Sequence, residues 1–195
     1  MKPGSCWRPS SVLMRRVDKH RLPRTVPAPV AVFLLWTMVL STAPLRGERL
    51  PNNGWRVLAV AYPEDRDVEV VLGGAEKTLI SRGLCKVRWK DNAANLELKL
   101  ENLPSPSDAG WSGTQYVLWA VDNEKRTMNL SLVPTNGGEA EWTVQVPFRI
   151  FGLLITAEKN PQATNPSINV ALESLLPTDS RLVVPAFRVD LSLTP

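Results

Sequence analysis

A chain of 195 residues with 44% hydrophobic side chains is long enough to bury a core without metal or disulfide staples. Its net charge of +4 is uneven: seven basic residues against Asp18 precede residue 30, and the 16 basic and 18 acidic residues beyond leave a balance of −2. That remainder lacks the positive excess of a nucleic-acid footprint. With His20 and Cys6 in the leader and Cys85 alone beyond it, Ser-His-Asp and Cys-His chemistry, an internal disulfide and the commonest metal ligand are excluded from the globular part.

Residues 1–29 are basic, Pro-interrupted and without a hydrophobic period. An uncharged apolar run, VAVFLLWTMVL at 30–40, follows and ends in the small residues Ser41, Thr42 and Ala43. A positive flank, an apolar stretch of that length and a small-residue site describe an export signal over 1–43. Met14 is an alternative start that leaves a leader of ordinary length. Pro44 is a poor residue to follow a cleavage site, and extending the run to 26–45 gives twenty residues, barely enough to span a bilayer at 1.5 Å per residue. Cleaved signal and uncleaved anchor both stay open, and either leaves the basic flank inside and the rest exported. The expected location is the periplasm or the outer face of the cytoplasmic membrane. Arg15-Arg16 is read as ordinary leader charge, since prolines separate it from the apolar run.

Residues 44–54 read as a polar linker. Strand signals then recur through 55–175, at 55–62, 68–72, 84–89, 95–101, 114–121, 128–133, 139–146, 152–158 and 168–173. Leu96, Leu98 and Leu100 alternate with Glu97, Lys99 and Glu101, as on a strand buried on one face. Two stretches differ. YVLWAV at 116–121 and FGLLITA at 151–157 are apolar on both side-chain parities and predict strands covered on both faces. The remaining strands are expected to lie around them. Asn136-Gly137 carries a type I′ hairpin signal, and 122–127 is polar enough for another turn. Residues 102–110 and 159–167 are loops stiffened by paired prolines, and 74–83 has room for a helical turn. The tail, 176–195, holds Phe187, Val189, Leu191 and Leu193 at alternate positions. It reads as a final strand, added to a sheet edge or donated to a partner.

The pieces LPSP at 103–106, TQYVLWAVD at 114–122, Asn129-Leu130, PFRIFGLLITAE at 147–158 and Pro166-Ser167 before a closing strand resemble the extracytoplasmic domain of anti-sigma-K factor (RskA-like) proteins. The resemblance covers roughly 95–174. It implies an immunoglobulin-like antiparallel β-sandwich outside a bacterial cytoplasmic membrane. In that family a sigma-binding helical domain lies inside. The first 29 residues here are too few and too Pro-rich for one, so sigma-factor inhibition is not carried over.

Among candidate sites, Asp122, Glu158 and Glu173 stand at strand ends, where an acid/base pair competes with the plainer reading of turn caps and ion pairs, with Arg149 for example. Lys86, Arg88 and Lys90 form a basic stripe, with Glu97 and Glu101 as expected cross-strand partners. Trp55, Trp89, Trp119 and Trp142 fall on inward strand positions and read as core. Trp111, in the Gly-rich DAGWSG at 108–113, is the aromatic to test as a stacking platform for sugar or an anchor for protein, against folding back onto the sandwich edge. The expected recognition loops are 105–113 and 159–167, with Trp111, Asp108, Ser112, Asn160 and Asn165 as candidate contacts. The sequence thus predicts no catalytic residue, cofactor, metal or nucleic-acid partner. It predicts an exported sensory or protein-interaction module that meets an envelope or membrane protein, with a glycan-binding module as the alternative and membrane contact through the N-terminal segment if uncleaved.

Overall fold

A computed structural model describes residues 48–179 and 182–195. The basic leader, the apolar run with its export or anchor reading, Cys6 and His20 lie outside the described residues. Among the described residues the fold is all-β. Eleven strands are named: β1 (Glu48–Leu50), β2 (Gly54–Ala61), β3 (Asp67–Gly74), β4 (Arg82–Lys90), β5 (Ala93–Glu101), β6 (Gln115–Asp122), β7 (Thr127–Leu132), β8 (Ala140–Val146), β9 (Ile150–Glu158), β10 (Val170–Pro177) and β11 (Ala186–Ser192). One 3₁₀ turn, Glu76–Thr78, joins β3 to β4.

The strands form one open sheet in the order β1-β2-β9-β10-β3-β4-β5-β8, with β6 and then β7 on β9, and β11 on β2. Every ladder between named strands is antiparallel. β10 is the joint. Leu172 pairs with both Ile155 of β9 and Gly74 of β3, so one strand carries hydrogen bonds to two parts of the sheet.

The two double-parity stretches, β6 and β9, pair along their whole length, Gln115 against Glu158 through Asp122 against Phe151. They are buried on both faces because two apolar clusters flank them. One cluster gathers Leu118, Ala120, Leu153 and Ile155 with Val70, Leu72, Cys85, Val87, Leu96, Leu98 and Leu100. The β3–β4–β5 portion therefore lies over one face of β6–β9. The other cluster holds Val117, Trp119, Val121 and Leu154 with Trp55, Val57, Ala59, Val189 and Leu191. Burying a large aliphatic or aromatic side chain contributes about 1.5–3 kcal/mol. Gly152 is demanded by this packing, since a Cβ there would stand 2.3 Å from the Leu58 carbonyl oxygen on β2. At the far edges Trp142 of β8 donates its indole N–H to Ser131 Oγ of β7 at 3.1 Å.

Several expectations need correction. The linker of 44–54 ends earlier: β1 already pairs with β2 across a tight turn in which Asn52 and Asn53 take φ of 58° and 59°. Asp91 and Asn92, at 52° and 62°, make the same turn between β4 and β5. Both are left-handed positions that Asn and Asp tolerate. The expected Asn136-Gly137 turn is shifted by one residue. Gly137 and Gly138 hold the positive φ values, and Asn136 and Glu139 exchange backbone hydrogen bonds. It turns a corner from β7 on one ladder to β8 on another, so the hairpin reading was wrong about what it connects. The last strand of the 55–175 block begins two residues later than predicted and runs through Pro177, across the boundary drawn at 176. The tail strand β11 pairs in register with β2 from Ala186–Val60 to Ser192–Gly54, which resolves its role as an edge addition within the chain.

Candidate functional site

Antiparallel registers bring four connections to one end of the sheet. Arg82 faces Glu101, Leu100 faces Ala140, Leu172 faces Gly74 and Gln115 faces Glu158. The β3–β4 turn, the 102–114 loop, the 133–139 corner and the 159–169 loop therefore all leave from that end. Three of them, the β3–β4 turn, the start of the 102–114 loop and the corner, frame a groove of about 540 Å³. Ile80 supplies an apolar wall, and Asn102, Ser105, Asp108 and Thr135 line it with amide, hydroxyl and carboxylate groups.

Its floor is held by short-range chemistry. Leu103 N–H donates to the Gly138 carbonyl at 2.9 Å, and Ser81 Oγ donates to the Asn102 carbonyl at 2.7 Å. Ser105 Oγ donates to Asp108 Oδ2 at 2.7 Å and accepts from the Asp108 N–H at 3.2 Å, so the loop's first turn is closed on itself. Tyr116 donates its hydroxyl to the Pro104 carbonyl at 2.9 Å. Burial, with a smaller contribution from the Asp108 charge, raises the Tyr116 phenol above its ordinary value.

The sequence-predicted residues fall in different places. Asp108 lines the groove. Trp111 is half-buried and packed against the first apolar cluster, edge-on to Tyr116 at 6.3 Å with the Lys77 ammonium 5.5 Å from its ring centre. It folds back onto the sheet edge, and Lys77 is fixed there by a 3.1 Å hydrogen bond to the Gly110 carbonyl. Ser112 is exposed beside it. Asn160 is exposed and caps its own turn, accepting from Gln162 N–H at 2.9 Å; Asn165 is exposed next to Thr164.

The two expected recognition loops start from the same ladder end but fold to opposite faces of it. Trp111 packs on the first cluster, whereas Ala163 and Ile168 pack on the second. Asn129 of β7 holds the 159–169 loop there, donating its amide to the Pro161 and Ala163 carbonyls at 2.9 and 3.1 Å. The structure therefore does not bring Asn160 and Asn165 together with Asp108 as one surface. Sequence reasoning missed Ile80, Asn102 and Thr135. The signal for Ile80 was an apolar Leu79-Ile80 pair inside a stretch without strand period.

The carboxylates serve structure. Asp122 is buried and caps the β6–β7 turn, accepting from Glu124 N–H at 2.9 Å and Arg126 N–H at 2.8 Å, with the Arg126 guanidinium on its other oxygen. Arg126, not Arg149, is its partner. Glu158 accepts from Ser167 N–H at 2.8 Å and from the Thr156 hydroxyl, which itself accepts the Trp119 indole N–H at 2.8 Å. Glu173 accepts the Trp55 indole N–H at 2.8 Å. The basic stripe also finds partners on the other side from the one expected: Lys86 and Arg88 reach Asp67 at 3.1 and 2.6 Å, and Lys90 approaches Asp65 at 3.8 Å. The hydrogen bond from Lys86, reinforced by Arg88, holds Asp67 below the usual carboxylate range. Cys85 is buried, and burial raises its thiol.

No protein-family model, curated protein or solved structure matches the chain.

Proposed function

We propose that this chain is an exported, immunoglobulin-like β-sandwich of the cell envelope that acts without catalysis, by binding another envelope protein at its loop end. The observation that carries this reading is the groove framed by Ile80, Asn102, Ser105, Asp108 and Thr135, built on connections whose bases are pinned by hydrogen bonds. Loops on a rigid sheet are where β-sandwich domains place recognition. A mixed lining of one aliphatic wall, amide and hydroxyl groups and the Asp108 carboxylate suits an extended peptide segment. Two apolar clusters on the two faces of β6–β9 support the layered reading, and the basic leader before an apolar run supports export. The resemblance to the outer domain of anti-sigma-K factor proteins agrees with this and leaves sigma-factor inhibition aside.

The glycan reading rests on Trp111, and its surroundings support that reading less: the indole is half-buried against the first apolar cluster and the Lys77 ammonium lies over its ring at 5.5 Å. A photo-crosslinking side chain at Thr135 of the full chain, in an envelope preparation, tests the proposal. It is expected to trap one defined protein, and Asp108→Arg should abolish the adduct. Equal adducts from a probe at Arg66, on the opposite end of the sheet, would remove the loop end as the binding site.

A further inference from the structure

We propose that the tip formed by Leu79 and Ile80 seats in the interfacial layer of a lipid bilayer and holds the groove at headgroup level. Among the described residues these are two consecutive large aliphatic side chains left 62% and 76% exposed. Exposed apolar residues usually occur singly. This pair is instead presented on a rigid base. Thr78 Oγ hydrogen-bonds the Ala75 carbonyl at 2.9 Å and also reaches the Ala171 carbonyl of β10. Ser81 N–H donates to Thr78 at 2.8 Å, and Gly74 N–H donates to Ser81 at 3.1 Å. Gly74 permits this tightness, since a Cβ there would meet the Thr78 carbonyl oxygen at 1.8 Å. A turn clamped from beneath cannot swing its aliphatic pair back onto the protein.

The occupant follows from where the chain enters. Arg49, the second described residue, forms an ion pair with Glu76 at 2.8 Å, three residues before Leu79. Only the seven residues 41–47 separate Leu40, the end of the apolar run, from Glu48. Seven extended residues reach about 25 Å at most. A chain held by that run therefore keeps the tip within reach of the same bilayer, and the tether supplies the local concentration that two aliphatics alone would not. Arg82 is exposed on one side of the pair, as a basic residue beside an interfacial apolar tip should be; on the other side Lys77 is exposed with its ammonium resting on the Gly110 carbonyl, while Glu76 is paired with Arg49 and Glu101 with Lys99. The inference rests on the envelope reading in its anchored form; it gives Ile80 to the lipid and leaves the partner's recognition at the membrane surface to Asn102, Ser105, Asp108 and Thr135.

The test uses the full chain with Cys6→Ser and Ile80→Cys, labelled with a polarity-sensitive nitrobenzoxadiazole; Cys85 is fully buried and escapes the label. The chain is reconstituted in phosphatidylethanolamine–phosphatidylglycerol vesicles and compared with the same background carrying Phe187→Cys, at the opposite end of the sheet. Flotation with the vesicles, a blue shift at position 80 and quenching there by doxyl-labelled lipid, with position 187 unchanged, are expected. Flotation without quenching at position 80 overturns the tip alone. A chain that does not float overturns the anchored reading and the tip with it.

Discussion

The two faces of the β6–β9 pair are buried by different means. The face carrying Leu118, Leu153 and Ile155 meets another part of the sheet, in a cluster that is mostly aliphatic with Tyr62, Trp89, Tyr116 and Phe151 among its members. The face carrying Trp119, Leu154 and Thr156 is closed by β2, β11 and the 159–169 loop, and there the indoles are tied to acceptors: Trp119 to Thr156, whose hydroxyl in turn donates to Glu158, and Trp55 to Glu173. A sheet laid on a sheet satisfies its backbone by its own ladders, so side chains need only fill volume. A loop laid on a sheet brings unpaired backbone with it, and Glu158 spends one carboxylate oxygen on Ser167 N–H to hold that loop down. The first face tolerates exchange of shapes. The second depends on individual polar partners.

Substitutions can sharpen that contrast. The largest effect is expected at Trp119→Ala, which removes a fully buried indole and its hydrogen bond, costing about 3–5 kcal/mol in chemical denaturation. Next comes Thr156→Val, nearly isosteric, which leaves the Trp119 N–H without its acceptor and takes a donor from Glu158. It should cost about 1–3 kcal/mol. Ile155→Val, one residue away on the aliphatic face, should cost only about 0.5–1.5 kcal/mol. Equal losses for the two valine variants would erase the distinction between the faces.

The aliphatic face has its own weakness, at high pH. Burial raises Tyr62 well above the phenol value of 10.0, and Cys85 above the thiol value of 9.0. Both are neutral when folded and ionise more readily when unfolded. Their contribution is fully present below about pH 9 and is lost as pH rises from the unfolded values towards the folded ones. The denaturation midpoint should fall steadily above that pH, and Cys85→Ala should flatten the fall without changing its sign. The smallest effect is expected at Asp67→Asn, away from both faces. It removes an exposed acceptor of Lys86 and Arg88, and should lower Tm slightly at low salt and not at all at high salt.

Hydrophobic period carried most of the architecture into view. Ten of the eleven named strands were legible, β1 being the one missed, because alternation at Leu96–Leu100 and in the tail and double-parity runs at Tyr116–Val121 and Phe151–Ala157 reflect how many sides of each strand are covered. The Asn52-Asn53 and Asp91-Asn92 turns were written in residue types that tolerate positive φ, with no Gly at the positive-φ positions themselves. Of the candidate contacts read from the sequence only Asp108 lines the groove, with Ser105 from the same expected loop beside it. Which side of a sheet a loop folds towards is decided by long-range partners such as Asn129 for the 159–169 loop, 32 residues from Pro161. Nothing local announces that choice. Ion-pair choice for Lys86 was likewise a matter of register with β3, which only the assembled ladder supplies.

The pairing of β11 with β2 has a consequence for how the protein comes into being. The first long strand lies against the last one, and the backbone N–H of Leu193 closes onto the carbonyl of Asn53 at 2.9 Å. Completing the pairing of β2 thus waits on a strand far along the chain, a contact of long sequence separation whose loop closure has a high entropic cost. Such an arrangement makes the closing of the second apolar face a late, long-range event, shared between the two ends of the described sheet.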